Sequence, residues 1–188
     1  MNYQLILNII KNLISQPKVE TVRLASENKS VSQVFKEIII PFITAIILAQ
    51  FIGNVIFGRY YFSQILNFLT KVTAPIILIL TASALLYTIL LNEILQYFSL
   101  PNKLARTFYI ITYAFIPVMA VEFASGLLPK LRPMLTLLNI YSYYILWLLL
   151  KVEYTDISKQ THRKVALTAI ISMALLHWAI VACINFLL

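Results

Sequence analysis

Three ionisable side chains stand inside otherwise apolar stretches of this 188-residue chain: Glu93, Glu122 and His177. A charge in hydrocarbon is costly, so a retained one marks an ion or proton path, or a polar fastening between helices. Glu122 lies in "YAFIPVMAVEFASGLLPK", Tyr113 to Lys130, with Pro117 and Tyr113 on its N-terminal side. Read as chemistry, Glu122 is a cation or proton stop, with His177 or a tyrosine hydroxyl such as that of Tyr113 as its partner. Read as structure, it is a carboxylate that hydrogen-bonds to a neighbouring helix. The structural reading leads and the chemical one stays open.

Spacing limits which of these groups can meet. Six residues, roughly 9 Å along a helix, separate Glu122 from Leu128 at the end of its apolar stretch. Glu93 sits near the other end of its own stretch, so the two carboxylates are expected at opposite faces of a membrane and not as a pair. Tyr113 is nine residues before Glu122 and points about 180° away from it in an unkinked helix. Pro117 lacks the backbone donor and crowds the preceding turn, which predicts a kink and a freed carbonyl at Tyr113. The sequence has no zinc-type His and Cys spacing, no Gly-rich phosphate loop and no nucleophile elbow, so neither an enzyme nor a cofactor is expected.

The elements that must carry these residues follow from composition. Hydrophobic residues make up 61% of the chain and charged residues 12%, well below the ~25% charged share of soluble domains. About 20 apolar residues cross the hydrocarbon of a bilayer as a helix. Five segments qualify, near 38–57, 73–96, 106–128, 134–150 and 165–188. Their apolar runs are continuous, without the period-two alternation of a strand pore. The expected fold is all-α: a bundle of five transmembrane helices in a domain at 38–188, preceded at 1–37 by a cytoplasmic amphipathic helix and connector. The lipid bilayer is thus the first partner.

Orientation follows from the basic residues, which are retained on the cytoplasmic side. With the N terminus inside, Lys11, Lys18, Arg23, Lys29, Lys36, Lys103, Arg106, Lys151, Lys159, Arg163 and Lys164 are inner. Only Arg59, Lys71, Lys130 and Arg132 are outer, so the C terminus is expected outside. The formal charge of +8 reflects this scatter and forms no basic block, so no nucleic acid partner is expected. "NYQLILNIIKNLIS" puts Gln4, Asn8, Lys11, Asn12 and Ser15 on one helix side and Leu5, Ile6, Ile9, Ile10, Leu13 and Ile14 opposite, as in a helix lying in the membrane interface. No basic residue precedes this apolar run and no small-residue cleavage site follows, so it is expected to be retained. Lys18 to Lys36 and Lys151 to Lys164 read as solvated connectors, where a cytoplasmic partner would dock.

Small residues mark packing. Ala45, Ala49 and Gly53 recur every fourth position with Gln50 and Asn54 beside them, and Ala120 and Ala124 repeat the spacing. Such ridges allow close approach and interhelical hydrogen bonds. They serve internal packing first, with a homo-oligomer as the alternative. Tyr141, Ser142, Tyr143 and Tyr144 are expected to hydrogen-bond within the bundle, and Tyr60, Tyr61, Tyr97 and Trp147 to anchor at interfaces. Cys183 is the single cysteine and is expected to be buried.

Four stretches resemble one family. "NIIKNLISQPKVETVRLASENKSVSQVFKEIIIPFITAIILAQFIG" is similar to the opening of the Ypt-interacting-protein (Yip) membrane family, an amphipathic lead before an "iiP"-type first span. "YAFIPVMA" resembles its Tyr-x-x-x-Pro third helix, "LNIYSYYILWLLLKV" its fourth, and "ISKQTHRKVALTAI" its connector into the last span. The resemblance implies a five-span bundle with a cytoplasmic N terminus. Eukaryotic members are linked to Rab-type GTPases and early secretory traffic. This chain has a short pre-membrane segment and looks like the short bacterial branch, which implies an inner-membrane location and carries over no catalytic residue. The leading expectation is therefore a non-enzymatic membrane protein acting in membrane organisation or through membrane or cytoplasmic protein partners. The alternative is a small ion, proton or solute channel or carrier using Glu122.

Overall fold

The computed structural model of the protein describes residues 3–27, 29–57, 64, 67 and 69–187. Arg59, Tyr60 and Tyr61, and the expected end of the last span at Leu188, lie outside the described residues. Helices account for the described architecture, with no strand among the described residues. Two short helices come first, α1 (Tyr3–Ser15) and α2 (Pro17–Ser26). Four described helices are long and apolar enough to cross a membrane: Val31–Ile56, Lys71–Tyr97, Pro129–Glu153 and Lys159–Cys183. A fifth crossing is made if the bent pair Leu104–Ala114 and Ile116–Leu127 counts as one span.

The first of these, α3 (Val31–Ile56), opens with a reciprocal cap. The Ser30 hydroxyl accepts from the Gln33 N–H at 3.3 Å, and the Gln33 side chain accepts from the Ser30 N–H at 2.9 Å, which satisfies two otherwise orphaned donors. The next, α4 (Ala74–Tyr97), ends with Ser99 in the left-handed region at φ 55, and the Leu100 N–H returns to the Leu95 carbonyl at 2.9 Å. That closure stops the helix just before Pro101.

The third crossing breaks at Phe115 into α5 (Leu104–Ala114) and α6 (Ile116–Leu127), which meet at 41°. Pro117 sits in the first turn of α6, where a missing N–H is tolerated, and it cannot donate to the Tyr113 carbonyl four residues back. Every residue from Thr107 to Ala114 is buried, so this bent crossing is central. The chain then turns through Pro129–Leu131 into α7 (Arg132–Thr136), a 3-10 turn at Leu137–Asn139 and α8 (Ile140–Glu153), and finishes with α9 (Lys159–Leu187).

The most extensive helix pair is α3 with α6. A Cβ added at Gly53 would lie 1.8 Å from the Gly126 carbonyl oxygen, and one added at Gly126 would lie 2.8 Å from the Gln50 nitrogen. Ala49, Gln50, Gly53 and Asn54 are buried on this seam and Ala45 is half-buried. Between helices in lipid the attraction is van der Waals contact, and the absent side chains are what permit it. Asn54 donates within its own helix to the Gln50 carbonyl at 2.7 Å and the Gln50 amide nitrogen has no partner, so among the described residues neither amide group is seen to donate to another helix.

The N-terminal segment also departs from expectation. Pro17–Ser26 is a helix with Glu20, Thr21 and Leu24 buried against the bundle, not a solvated connector. α2 packs along α8, and the Tyr141 hydroxyl donates to the Leu13 carbonyl at 2.7 Å. α1 buries Ile6, Ile9 and Leu13, while Leu7 and Ile14 are exposed. The segment is thus docked on the protein through one face. Trp147 is half-buried with its ring 4.9 Å from that of His162. Two smaller expectations are corrected: Tyr144 is exposed, and Cys183 is exposed. On a helix facing lipid, an apolar thiol needs no burial by protein.

Candidate functional site

A cavity of about 510 Å³ lies between α4, the bent α5–α6 pair, the α7–α8 segment and α9. Its walls are apolar, with Ile76, Ile79, Leu80, Ile111, Val118 and Met119 among them. Two polar pairs line it. The Arg132 Nη2 donates to the Glu122 Oε2 at 3.2 Å, with 49% of the arginine side chain exposed against 14% of the glutamate. His177 Nδ1 and the Tyr87 hydroxyl lie 2.9 Å apart. The Tyr87 ring packs on Phe115 at 5.0 Å, and Phe115 meets Tyr143 edge-on at 6.4 Å. The break beside Pro117 therefore places Phe115 in the cavity wall.

Three cavity-lining polar atoms have no partner: the Ser83 and Thr112 hydroxyls and the Asn139 Oδ1, all closed off from solvent. A buried acceptor or donor left unmade costs about 1–3 kcal/mol. Among the described residues no group of three His, Cys, Asp or Glu side chains is placed to hold a metal.

A second polar region lies at the other end of α5. Arg106 reaches Glu153 through two hydrogen bonds, Nε to Oε1 at 2.8 Å and Nη2 to Oε2 at 2.5 Å. It also donates to the carbonyls of Glu27 at 2.8 Å and Ala25 at 2.6 Å, and its guanidinium lies 4.9 Å above the Tyr109 ring. The Tyr109 hydroxyl donates to the Leu24 carbonyl at 2.7 Å. Lys29 bridges Glu37 at 2.9 Å and Glu27 at 3.2 Å. Burial works against the Lys29 charge, but the hydrogen bonds to Glu37 and Glu27 outweigh it and hold the ammonium well above the usual lysine range. Within α2, Glu20 is buried and accepts from Arg23 and from Asn12.

The residues singled out from sequence fall into three places. Glu122 and His177 line one cavity. Tyr113 does not join them: it is buried near the Arg106 region, its hydroxyl 3.4 Å from Lys29 Nζ and its ring 4.4 Å from that of Tyr109. Glu93 is exposed on α4. Tyr87, Arg132 and Asn139 belong to the cavity and were missed, as were Arg106 and Glu153. The Arg132 pairing has a sequence signal, because an acid shortly before a tight turn and a base shortly after it end at the same depth.

Comparison with known proteins adds one match. The sequence model of the Yip1 domain matches residues 11–182. No curated protein and no solved structure matches the chain.

Proposed function

The chain belongs to the Yip1 domain family, and on that premise we propose that it is a non-enzymatic integral membrane protein that organises membrane through protein partners. Its N-terminal segment is the surface it presents to them. The observation that carries this reading is the use made of Arg106. Two of its hydrogen bonds hold the carbonyls of Ala25 and Glu27 at the end of α2, and the other two join α5 to Glu153 on α8, so one polar cluster fastens the N-terminal segment to the bundle. The distribution of Lys and Arg supports a cytoplasmic location for that segment and an outside C terminus, and with it we place the protein in a bacterial inner membrane.

The test is transport by the purified protein. Reconstituted into liposomes loaded with a pH-sensitive dye, it should leave a proton or potassium gradient decaying at the rate of empty vesicles. Rapid decay that disappears in Glu122→Gln would sink the reading. It would install the second one, a small channel or carrier, whose support is the cavity joining Glu122 and His177.

A further inference from the structure

We propose that the cavity is a binding site for one bilayer phospholipid whose head group carries both a phosphate and a primary ammonium. At about 510 Å³ the cavity takes the head group and part of one acyl chain, the rest of the lipid lying in the bilayer. Apolar side chains from α4 and α6 (Ile79, Leu80, Val118, Met119) form a lining suited to an acyl chain. Tyr87 and His177 do not oppose a chain, because they satisfy one another, and the Ser83 and Thr112 hydroxyls are unpartnered with or without one.

The head group is specified by charge at Arg132. Arg132 carries five N–H donors, gives one to Glu122 and stays half exposed; the others are free for phosphate oxygens. Glu122 offers its second oxygen, and the unpartnered Asn139 Oδ1 asks for a donor in the same cavity. A primary ammonium supplies three donors to these acceptors. A quaternary ammonium has none to give, and an anionic head without an ammonium would meet the Glu122 carboxylate. A bare cation is a poorer match, since Glu122 is the one carboxylate lining the cavity and already faces Arg132.

The test is native mass spectrometry of the full chain after exchange into vesicles with equal shares of phosphatidylethanolamine, phosphatidylcholine and phosphatidylglycerol. One phosphatidylethanolamine should be retained per chain, in roughly tenfold preference over either competitor, the size expected for lost charge-assisted hydrogen bonds. Glu122→Gln should bring that ratio close to one. Ala84→Phe, which projects a ring into the cavity, should remove the bound lipid. Equal retention of the three lipids by the unaltered protein would overturn the proposal without recourse to any variant, and so would unchanged retention in Ala84→Phe. Displacement of the lipid by soluble glycerophosphoethanolamine would overturn the acyl-chain part. Neither result bears on the liposome flux test of the partner reading, so the two fail separately.

Discussion

Among the described residues two arginine–glutamate pairs each join neighbouring elements of the bundle, and they differ in how completely they are satisfied. Arg106 makes two bonds to Glu153 and two to backbone carbonyls of the N-terminal segment, with 22% of its side chain exposed. Arg132 makes one bond, at 3.2 Å, with 49% exposed, beside an open cavity. A pair with every arm engaged is a fastener, since moving it breaks four bonds at once. A pair with arms to spare beside an apolar cavity is one that a ligand can complete. The same two residue types thus serve cohesion at one end of the protein and reception at the other.

The largest expected effect is at the fastener. Arg106→Met leaves Glu153 partly buried without its partner and strips two backbone carbonyls of their donor. We expect destabilisation of about 3 kcal/mol, the range for breaking a buried pair from one side, read as a lowered midpoint in detergent thermal unfolding. Adding Glu153→Leu should recover part of that loss, because the stranded charge goes with it. If Arg106→Met proves no worse than Arg132→Met, the distinction between the two pairs collapses.

A smaller effect is expected from Tyr109→Phe. It removes one hydroxyl, the donor to the Leu24 carbonyl, at about 1 kcal/mol. The informative readout is local: amide hydrogen exchange across Pro17–Ser26 should accelerate while that of α9 stays unchanged. Uniform acceleration through the bundle would mean that the segment and the spans unfold as one unit.

At the cavity, Glu122→Gln should change stability by less than about 1 kcal/mol, since its partner is half exposed and such pairs are weak. A midpoint shift as large as that of Arg106→Met would reassign Glu122 to cohesion. That outcome would return it to the role of a helix-joining carboxylate.

How much of this was legible in advance depended on whether the signal lay within one helix. Apolar length places the spans, because the bilayer sets a threshold that each helix must meet alone. The break beside Pro117 is local for the same reason: a missing N–H acts on its own turn. The ridge of Ala45, Ala49 and Gly53 shows that something comes close, but its counterpart, Gly126, is in another helix and no periodicity links them. Arg106 and Glu153 stand 47 positions apart and reach each other only once α5 and α8 have packed. The docking of α2 was hidden by its composition. "PKVETVRLAS" reads as a solvated connector because its charges are counted singly, whereas in the fold Glu20 is matched by Arg23 and Asn12 and can be buried. Tyr113 was grouped with Glu122 by proximity in sequence, yet the bend and the helix rise carry their side chains to different ends of the crossing.

The smallest effect sharpens the comparison by leaving both regions alone. Glu93 is the other carboxylate in an apolar stretch, but it is exposed on α4 and outside the cavity lining. Glu93→Gln should shift stability by no more than about 0.5 kcal/mol, as for surface substitutions, and leave lipid retention as it is. Position in a hydrophobic run would then be shown to carry no functional weight of its own; a carboxylate matters here through the cavity or the cluster it faces. A loss of bound lipid in Glu93→Gln would instead tie retention to the net charge of α4 and remove the argument from Arg132 and Asn139.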